Sequence, residues 1–294
     1  MSGFRSGIVA VVGRPNVGKS TLVNALVGRK VAIVSDKPQT TRRHIRAIWN
    51  APDAQVVFTD TPGFHKPKTL LGTRTNALVR DAVEGVDVVI QVVDAAAGVG
   101  RGDAYVYGQQ VAPVAGVKVC AVNKIDAIRH HVVVVQLEAA AALGAFDEIV
   151  PASARDGKGV GLLRDLILER LPEGPPLYPP EDLTDLALEE QLAELVREQA
   201  LHVTRQEVPH SIAVVIEELD HEPELTTIHA TLVVERDSQK GIVIGKGGQT
   251  LKTIGTAARS EMERLLDTKV YLDLRVKVVK EWQRDPKALE RLGF

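Results

Sequence analysis

The eight residues Gly13-Arg14-Pro15-Asn16-Val17-Gly18-Lys19-Ser20 constrain this chain more than any other stretch. They follow an apolar, β-branched run at 8–12 and open a stretch with helical periodicity at 19–27. A strand that ends in a glycine turn and restarts as a helix leaves a ring of backbone N–H groups around one point, backed by the positive end of the helix dipole. The spacing G-x-x-x-x-G-K-[ST] adds a lysine that reaches β- and γ-phosphates and a hydroxyl for Mg²⁺. Gly13, Asn16, Val17, Gly18, Lys19, Ser20 and Thr21 are therefore the candidate phosphate-binding residues.

The surrounding pattern fits such a turn. Runs at 8–12, 56–59, 86–93 and 117–122 are apolar throughout, as strands covered on both faces should be, and a short strand at 148–151 completes the set. Helical candidates at 19–27, 75–84, 104–111, 132–143 and 160–170 alternate with them. That order predicts an α/β domain over residues 1–171 with a doubly wound, mostly parallel sheet. Five prolines between positions 172 and 180 then forbid helix and central strand, so 172–182 reads as an extended proline-rich linker. Beyond it, a helix (186–201), two alternating strands (212–219 and 226–234), a short helix, a glycine cluster, a helix (250–266) and a last strand (270–278) describe a small α+β domain at 183–294. A polar helix is expected at the end.

Phosphate recognition leaves the base undetermined; two further strand ends address it. Asp60-Thr61-Pro62-Gly63 ends one apolar strand, where Asp60 suits the Mg²⁺ shell and the Gly63 N–H suits a γ-phosphate sensor. Asn123-Lys124-Ile125-Asp126 ends another. A buried carboxylate at Asp126 accepts from both N1–H and the exocyclic amine of guanine, a pair of donors that adenine lacks. Ser153 and Ala154, after the last strand, would bring a backbone amide to the guanine O6. This base choice disfavours an ATPase or kinase.

Between these pieces lies Lys37-Pro38-Gln39-Thr40-Thr41-Arg42-Arg43, polar and without periodicity. A loop threonine that completes the metal shell only beside a γ-phosphate makes a switch, and Thr41 is preferred to Thr40, with the start of a strand as the competing reading. Gln39, Thr40, Thr41, Thr61, Pro62 and Phe64 are the candidate switch residues, and Ser20, Thr41 and Asp60 the candidate metal ligands. Phe64 stands where a water-orienting side chain would be useful and cannot serve, and His65 reads as a loop residue. Hydrolysis by the chain alone should be slow.

In the second domain, Gly245-Lys246-Gly247-Gly248 lies between two helical stretches, where glycines admit a sugar-phosphate backbone and Lys246 supplies charge. Ile244, Gly245, Lys246, Gly247, Gly248 and Lys252 are candidate RNA contacts, and Ile244, Leu251 and Ile254 are either groove wall or core. The whole chain has a net charge of −2, which alone argues against a general polyanion binder, but residues 236–294 hold 13 Lys/Arg against 8 Asp/Glu. That local excess surrounds the glycine loop.

The set Gly-Arg-Pro-Asn-Val-Gly-Lys-Ser, Gln-Thr-Thr-Arg, Asp-Thr-Pro-Gly-Phe-His-Lys-Pro and Asn-Lys-Ile-Asp, with Val-Ile-Gly-Lys-Gly-Gly in the second domain, resembles the Era-type GTPases of the translation-factor-related class over essentially the whole chain. The resemblance implies a P-loop GTPase domain followed by a KH-type RNA-binding domain. It also implies GTP/GDP and Mg²⁺ as ligands, the 3′ end of small-subunit ribosomal RNA and the small ribosomal subunit as partners, and a role in that subunit's maturation. Relatives with asparagine at the place of Asn16 often hold K⁺ beside the phosphates. The competing reading is an RNA-binding assembly module that uses nucleotide as a structural ligand.

A single cysteine, Cys120, permits neither an intrachain disulfide nor a thiolate zinc cluster and fits a reducing compartment. No secretory stretch opens the chain and no apolar run is long enough for a bilayer, so a cytoplasmic location is expected. A peripheral place at the inner face of the cell membrane stays open through the basic C-terminal stretch, without an amphipathic anchor. No stable oligomer is implied.

Overall fold

The structure, a computed structural model, describes residues 3–37, 40–64, 69–204 and 208–294, with the side chain of His210 left aside. It divides into two compact units, Met1–Val34 with Thr41–Pro67 and Gly72–Asp185, and Leu186–Phe294 with Ser35–Thr40 and Lys68–Leu71.

The first unit is a six-stranded sheet in the order β2-β3-β1-β4-β5-β6, formed by β1 (Arg5–Gly13), β2 (Ile45–Ala51), β3 (Ala54–Asp60), β4 (Val88–Asp94), β5 (Val117–Asn123) and β6 (Glu148–Pro151). All neighbours are parallel except β2 and β3, which form a hairpin. Period-two alternation in β1 sends Val9 and Val11 to one face and Ala10 and Val12 to the other, and every one of them is fully buried. The first pair packs with Leu22 and Leu26 of α1 (Lys19–Val27) and Leu163 and Ile167 of α5 (Val160–Arg170). The second packs with Val79 of α2 (Leu70–Asp81) and Val106 of α3 (Arg101–Val106). Ala140 of α4 (His130–Ala141) closes a further cluster with Cys120 and Val122. The doubly wound, mostly parallel sheet holds as expected, and all strand ends that bear motifs lie at one edge of it.

Three features depart from the sequence reading. The antiparallel strand β2 was not foreseen: its Ile-Arg-Ala-Ile-Trp-Asn-Ala run has only weak alternation, and its clearest signal is the tight Pro52-Asp53 turn into β3. The helix expected over 104–111 is α-helical only to Val106 and continues as one π-helical turn, Tyr107–Val111. The proline-rich stretch is extended, as its prolines require, but tethered to the first unit. Prolines offer no N–H, so the backbone donors of the stretch are its other residues, while proline carbonyls still accept. Leu177 and Tyr178 donate their N–H groups to buried Gln55 Oε1 at 2.7 and 2.8 Å. Asn50 Nδ2 donates to the Pro180 carbonyl at 2.9 Å.

The second unit carries α6 (Leu188–Val203), β7 (Ala213–His221), β8 (Leu225–Val234), α7 (Asp237–Ile244), α8 (Gln249–Leu266), β9 (Lys269–Val278) and α9 (Pro286–Arg291). Its sheet runs β7-β8-β9, antiparallel then parallel, so the β8-to-β9 crossover must contain α7, the glycine loop and α8. Ile254, Ala258 and Met262, four residues apart on α8, are fully buried against Ile228, Ala230 and Leu232 of β8 and Leu192 and Val196 of α6. Near α9, buried Trp282 donates its indole N–H to the Ser211 carbonyl at 3.0 Å and stacks on Phe294. No helix among the described residues is long and apolar enough to cross a membrane.

Candidate functional site

The loop between β1 and α1 has the geometry that its glycines foretell. Gly18 sits at φ +96°, and a Cβ there would lie 2.4 Å from Asn123 Nδ2, so no other residue fits. Asn16 takes a left-handed φ of 64°. Lys19 is buried, and its ammonium donates to the carbonyls of Gly13 (3.2 Å) and Arg14 (2.9 Å), which holds it inside the loop. Burial pushes the Lys19 pKa down to about 8, against the pull of the Asp60 carboxylate. Thr21, half-buried, follows in the first turn of α1.

Three predicted metal ligands meet beside this loop. Ser20 Oγ donates to Asp60 Oδ2 at 2.6 Å, Thr41 Oγ1 donates to the same oxygen at 3.2 Å, and the two hydroxyls are 3.0 Å apart. The second Asp60 oxygen, Oδ1, is buried with no hydrogen-bond partner among the described residues. Burial raises the Asp60 pKa, opposed by the Ser20 bond, Lys19 and the Thr41 bond. Two hydroxyls and an under-satisfied carboxylate are a hard-oxygen donor set of the kind Mg²⁺ takes. Thr40 lies outside the cluster, its hydroxyl donating to the Lys37 carbonyl at 2.7 Å. Gln39 and His65 lie outside the described residues.

After Asp60, Thr61 donates its hydroxyl to the Val11 carbonyl at 2.7 Å, which anchors this segment to β1. Pro62 is buried, and the Phe64 N–H donates to the Gly13 carbonyl at 3.3 Å, keeping Gly63 beside the phosphate loop. The Phe64 ring is buried and stacks on exposed Tyr105, with centroids 5.6 Å apart. It offers neither proton nor charge.

Asn123 ties the base-reading end to the phosphate loop: its Nδ2 donates to the Val17 carbonyl at 2.9 Å, and its Oδ1 accepts from the Ala154 N–H at 3.0 Å. Lys124 spans to the Asn16 carbonyl and to Asp94 Oδ2, each at 2.6 Å. Asp126 accepts from Ser153 Oγ at 2.6 Å through Oδ1. Two expectations are corrected here. Asp126 is exposed, because it lies on a single 3₁₀ turn at the rim beyond β5. The amides of Ser153 and Ala154, expected to face a base, are engaged by the Lys158 carbonyl and by Asn123.

Sequence reasoning overlooked Asp94, Arg14 and Asp103. Fully buried Asp103 accepts from Arg14 Nε at 2.8 Å and from the Gly100 N–H at 2.9 Å, fixing the phosphate loop to the start of α3. Asp94 could have been found as a carboxylate closing an apolar strand. Asp103 gave no local signal.

In the second unit, Gly245 and Gly247 adopt φ of +74° and +61°, and a Cβ on Gly245 would overlap Thr250 Oγ1 at 2.1 Å. Lys246 is exposed at the tip and Gly248 opens α8. A groove of about 400 Å³ starts at Gly248 and runs between Leu251, Lys252, Gly255 and Arg259 of α8 and Tyr271 and Leu274 of β9. Leu251 is thus groove wall. Ile254 is not: it is fully buried in the core, on the opposite side of the helix. Ile244 is half-buried at the end of α7 and does not line the groove. Gly255, Arg259 and Tyr271 were missed; 248, 252, 255 and 259 fall on one helical face, so reading that periodicity onward from the glycine loop finds Gly255 and Arg259, while Tyr271 on β9 gave no such signal.

The fold and these loops define a P-loop GTPase unit joined to a KH unit. A family described as 50S ribosome-binding GTPase matches residues 8–124, and a KH domain family matches residues 207–283. The chain is 52% identical to GTPase Era of Mycolicibacterium smegmatis and 53% identical to GTPase Era of Mycobacterium tuberculosis, in both cases over 300 aligned residues covering all of either chain. It is 41% identical to an Era solved with MgGDPNP and nucleotides 1506–1542 of 16S ribosomal RNA, at a TM-score of 0.94 over 99% of each chain. An Aquifex aeolicus Era variant bound to GDP and AlF₄⁻ gives a TM-score of 0.95, also at 41% identity and 99% coverage of each chain. The chain belongs to the GTPase Era family and is a GTPase, converting GTP to GDP and phosphate.

Proposed function

We propose that this protein binds the 3′ end of small-subunit ribosomal RNA through its KH unit, assists maturation of the small ribosomal subunit, and uses nucleotide state as the switch. The observation that carries this reading is the near-complete match to an Era holding a Mg²⁺-bound GTP analogue and 16S ribosomal RNA together. The GxxG loop and its groove, with Lys252 and Arg259, supply the matching chemistry here.

In this reading the backbone from Gly13 to Gly18 and the Lys19 ammonium hold the phosphates. Ser20, Thr41 and Asp60 would hold Mg²⁺, which would supply positive charge against the phosphates. Thr41, in the loop before β2, reports the γ-phosphate on one side, and the Gly63 N–H reports it on the other. Phe64 cannot orient water, so the chain alone turns over slowly. Asn16 would help hold a K⁺ ion there, which would supply the missing positive charge. Single-turnover hydrolysis with and without a 3′ ribosomal RNA tail, in K⁺ and in Na⁺, tests the assignment. The expected result is a several-fold faster reaction in K⁺, lost in Asn16→Ala, and a further change on adding RNA. Equal rates in both salts would remove the K⁺ role, and no turnover under any condition would return the nucleotide to a structural ligand.

Asp126 reads the base. In Asp126→Asn the Ser153 bond to Oδ1 survives, but the NH₂ that replaces Oδ2 is a donor and cannot accept from the guanine N2 amine. GTP affinity should fall roughly ten- to a hundredfold, and xanthosine triphosphate, which presents a carbonyl there, should bind better than GTP. Competition binding decides it, and an unchanged GTP preference would place the base reader elsewhere. The basic 236–294 segment is all that supports a stay at the inner face of the cell membrane, in a chain otherwise expected in the cytoplasm.

A further inference from the structure

Among the described residues β9 is an edge strand, with β8 as its one partner in the sheet. Its core-facing positions, Val270, Leu272, Leu274 and Val276, pack into the second unit. The alternate positions Lys269, Tyr271, Arg275 and Lys277 are all exposed. Asp273, the remaining outward residue, lies 3.1 Å from His229 Nδ1 and accepts from Arg275 Nε at 3.0 Å, so its charge is already met inside the row. Along the far edge, Glu217, Glu218 and Asp220 of β7 and Glu222 and Glu224 of the following turn are exposed. One small sheet is thus basic on one edge and acidic on the other. Lysines also guard edge strands against pairing with other strands, but that role needs neither an exposed tyrosine nor an acidic opposite edge.

We propose that the outward row Lys269–Tyr271–Arg275–Lys277 is a second RNA track that binds the phosphates of nucleotides lying outside the glycine-loop groove. The inference rests on the KH reading above and extends it from the groove to the strand beside it. Tyr271, 57% exposed, lines the groove and belongs to the row, so the two surfaces are continuous. Outward side chains on a strand repeat every two residues, roughly 6.6 Å, the order of the phosphate spacing along an extended single strand. A basic track with an aromatic side chain is the common equipment for holding such a strand without reading its sequence. The acidic β7 edge repels the same polymer and so fixes which side of the sheet it follows.

The test compares a tetranucleotide, which the groove alone accommodates, with a single-stranded RNA of about 12 nucleotides containing it. Both are titrated over a range of salt against the full chain carrying Lys269→Gln, Arg275→Gln and Lys277→Gln together. The expected result is an unchanged tetranucleotide affinity, at least a tenfold loss for the longer RNA, and a log affinity–log salt slope shallower by about 1.4, from the two unpaired lysines at about 0.7 each. Should the triple variant fold poorly, Lys277→Gln alone should shift the slope by about 0.7. An unchanged slope for the long RNA, or equal losses for both RNAs, would overturn the track. So would a loss confined to binding of phosphatidylserine vesicles, which would assign the row to a membrane. Lys246→Asp with Gly247→Asp separates the two readings. If that variant kept both RNAs, the groove assignment itself would fail, whatever β9 does.

Discussion

Lys19→Ala is expected to weaken GTP binding by about 2–5 kcal/mol, roughly 30-fold to a few thousandfold, while leaving the nucleotide-free protein about as stable as before. The two halves have one cause. The Lys19 ammonium is fully enclosed, and burial has already pulled its pKa to about 8, so the empty loop holds a cation it poorly solvates. Phosphate oxygens replace the missing solvation, and that is where its binding contribution arises. Without nucleotide, removing it forfeits bonds to two loop carbonyls but also relieves the desolvation of a charge. Calorimetric titration with GTP and thermal melting of the empty protein read the two effects separately. An affinity within threefold of the parent would mean that Lys19 is not the phosphate ligand.

The second large effect is expected in the other unit. Lys246→Asp with Gly247→Asp should abolish measurable RNA binding and leave GTP affinity within about twofold. Both positions are exposed, and a Cβ at Gly247 would meet nothing within 4 Å. The φ of +61° at Gly247 is one that aspartate tolerates better than most residues. The unit should therefore fold, now with two carboxylates where a phosphate backbone must approach. Filter binding of the ribosomal RNA tail measures the loss. RNA affinity unchanged in a folded variant would move the interface away from the glycine loop.

How much of this was legible beforehand follows from where the information sits in the chain. The phosphate loop, Asp60 and Asn123-Lys124-Ile125-Asp126 were readable because each motif occupies the end of an apolar strand, and parallel strands bring such ends together. Thr41 was preferred over Thr40 on loop logic alone, and the geometry brings its hydroxyl, not that of Thr40, to Asp60. Four things could not be read locally. The exposure of Asp126 depends on a 3₁₀ turn that sequence spacing does not specify. The grip of Asp103 on Arg14 joins residues 89 positions apart with no shared motif. The proline-rich stretch showed its extension but not its tether, because that is decided by Gln55 and Asn50 on another part of the chain. In the KH unit, Leu251 and Ile254 looked alike as apolar residues three apart, and only packing against β8 separates wall from core.

The central claim is that nucleotide state governs RNA binding. Where that coupling exists, thermodynamic linkage requires GTP and RNA to change each other's affinity by the same factor. The direct measurement is a titration of the single-stranded 3′ ribosomal RNA tail with the full chain loaded with a non-hydrolysable GTP analogue, loaded with GDP, or free of nucleotide. The account predicts tightest RNA binding in the GTP-analogue form, by at least fivefold over GDP, with an equal factor in the reverse titration of nucleotide against RNA-bound protein. Indistinguishable RNA affinities in all three forms would contradict it, leaving a GTPase and an RNA-binding unit that share a chain without a switch between them.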